Sequence, residues 1–207
     1  MRRRPRPAVP HILLPTGLPR RPPSTFPWKF MHHGTAPDAA GAVQEYGDLS
    51  DAVGQCCTPR CYNLPHAFQL GWAAPQLLDG TSLLAGQSRA VTFAAHSCSR
   101  FSGLVVNATW AAGAPALYVS YRLAERGDRG LLPDFVGKVS VHTWPGRQPQ
   151  DCEKTLLVKT LAKGASLAHA ATGLTVKVAA VDPSGGTATV TVSRAPIRRG
   201  RRLGGAR

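Results

Sequence analysis

The chain has no uninterrupted apolar run of the roughly 18–20 residues that a membrane-crossing helix needs, so no segment reads as a span. It has no recognisable serine or cysteine nucleophile motif, no glycine-rich phosphate loop and no dinucleotide fingerprint. The corresponding covalent-hydrolase, nucleotide-binding and hydride-transfer readings therefore have nothing to rest on. No tandem repeat of fixed period is visible. The amino terminus carries no credible secretory signal: Arg2, Arg3 and Arg4 would serve as its charged region, but the apolar stretch behind them is short and broken by Pro10 and Pro15. Acidic residues are scarce, 11 against 25 Lys and Arg, for a net charge of +14.

That excess of positive charge is not spread evenly. Residues 1–29 hold seven basic side chains and no acid, and residues 194–207 hold six arginines and no acid. The interval 30–193 is nearly balanced, with twelve basic and eleven acidic residues. Basic tails attract anionic surfaces through counterion release, but a near-neutral body offers no specific nucleic-acid face. The leader, rich in Arg and Pro, has no hydrophobic period and reads as disordered. Its composition, built from residues with GC-rich codons, is also what a mis-started reading frame would produce.

Two hundred and seven residues suffice for one or two domains with a real core, and 21 Gly with 18 Pro imply many turns. Five cysteines (Cys56, Cys57, Cys61, Cys98 and Cys152) are an odd count. They suit an extracellular disulfide framework with one thiol unmatched better than a zinc finger, because C-C-x3-C has no matching second pair. The pairing cannot be read from the spacing. Asn107-Ala108-Thr109 is a glycosylation sequon, a cheap motif taken alone.

A short helix is predicted from Asn63, whose side chain can cap the first turn, with Pro65 tolerated inside it and Gly71 placed to end it. Leu64, Phe68 and Trp72 recur every fourth residue and share one face. Beyond residue 82 the texture changes to short β-type runs: 91–95, 103–110, 116–123, 138–142, 154–158, 174–178 and 187–192. In the third, Tyr118, Ser120 and Arg122 alternate with Leu117, Val119 and Tyr121. Asp182-Pro-Ser-Gly-Gly186 between the last two runs is a hairpin signal. About seven short strands at regular spacing predict an antiparallel β-sandwich.

The block Glu45-Tyr46-Gly47-Asp48-Leu49-Ser50 with Gly54, followed by Asn63, Pro65, His66, Gln69, Leu70, Gly71 and Trp72, resembles the gametolysin zinc metalloproteases, the M11 peptidases of metzincin type. In that family the pattern E-Y-G-D-x-S-x-x-M-G and then N-x-P-H-x-x-Q-L-G-W follow the metal-binding segment. Lys138-Val-Ser-Val-His142 and Tyr118-Val-Ser-Tyr-Arg122 are similar to its β-rich C-terminal region, so the resemblance runs from about residue 30 to 193. It implies a mainly β chain: a disordered leader at 1–29, the remnant of a metzincin-like α/β catalytic domain at 30–80, a β-sandwich at 81–194 and a disordered tail at 195–207. It also implies secretion, zinc as cofactor in complete members, and cell-wall or matrix glycoproteins of green algae as substrates and partners.

Metzincins bind zinc through H-E-x-x-H-x-x-G-x-x-H, the glutamate serving as general base. If His32 takes the third ligand position, the first His, the Glu and the second His fall on Pro22, Pro23 and Phe26, and Lys29 replaces the Gly. Setting the register on His33 gives Pro23, Ser24 and Pro27. None of these proline or phenylalanine side chains binds a metal, and the prolines would break the helix. The Met-turn position is Val53. The resemblance thus yields no catalytic residue, one relic ligand at His32 and the expectation of no stoichiometric zinc. It gives His66 a structural, capping role and places Glu45 and Asp48 in a turn whose carboxylates accept backbone amides. A non-catalytic matrix- or protein-binding module is the alternative, with the tryptophans Trp72, Trp110 and Trp144 read as core or junction residues.

Overall fold

The computed structural model of the chain describes residues 34–54, 58–97, 100–146 and 153–196. In chain order these form β1 (Gly34–Pro37), β2 (Val43–Gln44), α1 (Leu64–Gln69), β3 (Gln76–Leu78), β4 (Ser88–Ala94), β5 (Leu104–Val106), β6 (Ala116–Arg122), β7 (Lys138–Trp144), β8 (Thr155–Leu161), β9 (Ser166–His169), β10 (Leu174–Asp182) and β11 (Thr187–Arg194). The protein is mainly β. One sheet has the order β4-β11-β10-β9 and the other β2-β1-β8-β7-β6-β5-β3. Pairing is antiparallel except for β1 with β8 and β3 with β5, which run parallel.

Period-two alternation builds the space between the sheets. Leu104 and Val106, Leu117, Val119 and Tyr121, and Val139 and Val141 project from the larger sheet. They meet Val91 and Phe93, Val176 and Val178, and Val190 and Val192 of the smaller one. At 182–186 the side chain of Asp182 accepts the Gly185 amide at 2.9 Å and the Ser184 hydroxyl at 2.7 Å, closing the hairpin expected there. The run predicted at 103–110 is cut to Leu104–Val106, because the chain turns at Asn107, whose carbonyl accepts the Thr109 amide. β3 and β5 are adjacent in one sheet although the expected domain boundary near residue 80 lies between them.

The other face of the larger sheet is also covered. Tyr118, Ser120 and Arg122 of β6 lie in register with His142, Ser140 and Lys138 of β7. Ser120, Arg122, Ser140 and His142 are fully buried. The cover includes α1 and the residues around it: Leu64, Ala67 and Ala73 pack against Val105, Tyr118 and Trp144. Phe68 is half-buried, its ring 5.9 Å from that of Tyr118. The helical period does not reach Trp72, which is 60% exposed. α1 stops at Gln69 and Gly71 takes a left-handed φ of +72°, so Trp72 leaves the face and lies 5.6 Å from the Tyr62 ring. Trp144 is buried and Trp110 half-buried, so the core reading of the tryptophans fails only at Trp72.

Burying Leu64 stabilises this layer by about 1.5–3 kcal/mol. Leu64→Ala should lower the unfolding free energy by about 2–5 kcal/mol in a denaturant titration. A loss below about 0.5 kcal/mol, the size of an ordinary surface change, would mean that residues 64–73 are not docked on the sheet.

Candidate functional site

The most unusual chemistry in the fold lies on that covered face, where two carboxylates are shut away from water. A tight turn delivers them: the Asp51 amide donates to the Asp48 carbonyl at 3.0 Å and the Gly54 amide to the Asp51 carbonyl at 3.1 Å. Only glycine fits at 54, because an added Cβ would stand 1.8 Å from the Asp48 carbonyl oxygen. Asp48 and Asp51 are both completely buried.

Each carboxylate accepts hydrogen bonds at both oxygens. One Asp48 oxygen accepts the Ser50 amide (3.0 Å) and hydroxyl (2.6 Å). The other accepts the Asn63 amide group (3.1 Å) and Nε2 of His142 (2.9 Å). Asp51 accepts the Asn63 backbone amide at 3.1 Å and Nδ1 of His66 at 2.5 Å. Asn63 also donates to Thr155 Oγ1 (2.8 Å), while its oxygen caps α1 by accepting the His66 amide (3.0 Å). Burial alone would raise the Asp48 carboxyl. The attraction of the His142 ring and the bonds from His142, Ser50 and Asn63 outweigh burial and hold it well below the usual carboxylate range.

A second buried cluster pins the residues leading into α1. Arg122 grips Asp128 through Nε (2.8 Å) and Nη2 (2.6 Å), and Asp128 accepts the Cys61 amide at 2.7 Å. Cys61 is itself disulfide-bonded. The next carbonyl, of Tyr62, lies 3.0 Å from Nε2 of His96, so that nitrogen carries the proton and Nδ1 accepts from Ser102 Oγ at 2.9 Å. Burial, reinforced by the nearby Arg122 charge, lowers His96 to about 4.

His32, His33, Cys56, Cys57, Cys98 and Cys152 lie outside the described residues. Asp48, Ser50, Asn63 and His66 come together in the buried network, with Gly47 and Gly54 in its turn, Pro65 inside the short helix and Gln69 buried at its end. Glu45 instead stands at the surface, 2.7 Å from Lys154, and Tyr46 is 51% exposed. Val53 is half-buried, Gly71 and Trp72 lie outside the network, and Asn107 is exposed just past the end of β5. The sequence reading missed Asp51, His142 and Thr155 as network members, and His96, Arg122 and Asp128 as the anchor. The available signal was Ser120, Arg122, Ser140 and His142 at alternate positions of two apolar strands.

The network could orient a metal ligand but cannot make a metal centre. His66 and His142 each give one ring nitrogen to an aspartate, as carboxylate-oriented metal ligands do, and leave the other, Nε2 of His66 and Nδ1 of His142, buried without a hydrogen-bond partner. No group of three His, Cys, Asp or Glu among the described residues could hold a metal ion, and zinc needs three or four protein ligands. The described residues therefore do not fit zinc. What they do is supply hydrogen bonds to two buried carboxylates and tie the turn, α1, β7 and β8 together.

The family described as gametolysin peptidase M11, a family of zinc metallopeptidases, matches residues 29–171. The match ends in the turn before β10, so the two longest strands of the smaller sheet lie beyond it. Comparison with curated proteins and with solved structures returned no match.

Asp48→Ala should cost about 3–5 kcal/mol, since it leaves His142 and Asn63 buried without their acceptor. The Asp48→Ala/His142→Ala double variant should cost clearly less than the sum of the two single changes, which a double-mutant cycle would read directly. His96 is neutral when folded and ordinary when unfolded, so stability should fall as pH drops from 6.5 towards about 4. His96→Gln should flatten that limb; an unchanged slope would mean that His96 is not the group titrating.

Proposed function

The chain belongs to the gametolysin peptidase M11 family, and from that premise we propose that residues 34–194 form the support region behind the zinc helix of an extracellular endopeptidase of matrix or cell-wall glycoproteins. On this reading the chain itself neither holds stoichiometric zinc nor cleaves peptide bonds. The observation that carries the proposal is the commitment of the family block to internal bonds: Asp48 to His142, Asp51 to His66, and Asn63 to both turns. None of these groups faces water, so none can deliver a proton to a substrate or activate a water molecule. The 207 residues contain no H-E-x-x-H, the element that supplies two ligands and the general base. Zinc, where a complete site is present, supplies an activated water and polarises the scissile carbonyl. The role of residues 34–194 is to hold the Asp48 turn and Val53, the Met-turn position, rigid beneath such a site.

A specific observation favours a second reading, binding without catalysis. Trp72, Leu77 and Phe101 are 60, 62 and 70% exposed. They lie on segments at or next to the edge strand β3, where Leu77 pairs in register with Val105 and the Ala74 amide donates to the Arg100 carbonyl at 2.5 Å. Exposed aromatic and aliphatic side chains on segments joined at this sheet edge suit a protein or glycoprotein partner. No helix among the described residues is long and apolar enough to cross a membrane, which is compatible with the extracellular setting.

The deciding experiment incubates the purified chain with a denatured protein substrate and with a matrix glycoprotein, with added zinc and with a chelator, while metal content is measured by mass spectrometry. The expected result is no cleavage and well below one zinc per chain. Chelator-sensitive cleavage would overturn the inactive reading, and saturable, zinc-independent binding lost in Trp72→Ala would favour the binding module.

A further inference from the structure

We infer that Asn107 carries an N-linked glycan and that this glycan screens the open edge of the seven-stranded sheet. The inference rests on the extracellular reading above.

The chain contains only two asparagines, and the fold treats them in opposite ways. Asn63 is completely buried with both amide atoms engaged. Asn107 is exposed, and its side chain bonds to no protein group among the described residues. The local backbone leaves the first and third residues of the acceptor motif outward. Ala108 is 3% exposed and packs in the core between the sheets, while Asn107 and Thr109 on either side of it are both exposed. Thr109 is held from the other side, its Oγ1 accepting the Gly80 amide at 3.1 Å. A branched glycan on Asn107 Nδ2 therefore meets no packed surface, and a folded chain can retain it without rearrangement.

Its position suggests what it does. Among the described residues β3 is the terminal strand of its sheet and pairs only with β5. Asn107 follows the last residue of β5, and its amide donates to the Leu78 carbonyl at 2.8 Å, so it stands at the end of that edge. Leu77, in the middle of β3, is 62% exposed. Such an edge is a template for pairing with another chain, and β3 has neither a charged residue nor a proline in its three positions. A bulky hydrophilic group rooted at its end would obstruct that approach.

The chemistry balances without an oxidant. The Asn107 amide nitrogen attacks the anomeric carbon of a lipid-pyrophosphate-linked oligosaccharide held by a transferase. The carbon–nitrogen bond forms, the carbon–oxygen bond to the pyrophosphate breaks, and one amide proton is lost.

The test is secretion of the full chain from a eukaryotic host behind an added signal peptide, followed by intact-mass measurement before and after a peptide N-glycosidase. The wild type should lose the mass of one glycan, with Asn107 converted to Asp in the tryptic peptide. Thr109→Ser should keep the shift, while Asn107→Gln should lack it and still fold. A secreted wild type without glycan would overturn the site. Since the added signal supplies the compartment, that failure would leave the native location of the protein to be judged separately. Sedimentation of the wild type and Asn107→Gln at matched concentrations tests the screening: more self-association in the variant supports it, and identical behaviour would overturn it.

Discussion

Two carboxylates that must be hidden from water, Asp48 and Asp51, set the terms for everything on the covered face of the larger sheet. Removing a carboxylate from water costs several kcal/mol, and the cost is recovered only when every lone pair finds a donor in good geometry. The donors here come from separate parts of the chain: Ser50 beside them in sequence, Asn63 and His66 at the start of α1, and His142 in the middle of β7. Satisfying them fixes where the turn, the helix and the central strands lie. Gly34 belongs to the same constraint, since a Cβ there would fall 2.7 Å from an Asp51 carboxylate oxygen.

This is why a family resemblance so clear in sequence accompanies so little reactive chemistry. The block from Glu45 to Trp72 is distinctive because many of its positions are over-determined by burial. Asp48, Asn63 and His66 have the look of catalytic residues, being a carboxylate, an amide and an imidazole within bonding distance. In this fold they are buried and bonded mainly to one another, while Trp72 and Phe101 are exposed. A hydrogen-bonded network of this kind rigidifies the segments it joins.

What was legible in the sequence followed the range of the interactions involved. The Asn63 cap, the Gly71 stop and the Asp182 hairpin are decided by neighbours two to four residues away, and they can be read directly. The interior of the sandwich was legible too, because period-two alternation of Val, Leu and Phe is the mark of a strand with one buried face. The polar sides of β6 and β7 were not: Ser120, Arg122, Ser140 and His142 look like a solvent face until something is known to cover them. The short strands β1, β2, β3 and β9 carry too few residues for any period to show. The exposure of Trp72 was hidden for a related reason, since a four-residue rhythm gives no sign that the helix has already ended at Gln69.

The parallel partnership of β1 with β8 carries a consequence for how the molecule is made. Thr35 donates its hydroxyl to the carbonyl of Thr155, 120 residues later, and Asn63 reaches the same residue's side chain across 92. Contacts so distant along the chain close slowly. During translation the acidic turn and α1 emerge from the ribosome well before the strands that will sheathe them, whereas β9, β10 and β11 meet within moments of their synthesis. For that interval Leu64 and Tyr62 lack the strands that cover them and Asp48 lacks His142, so this layer is completed only once β7 and β8 have been made.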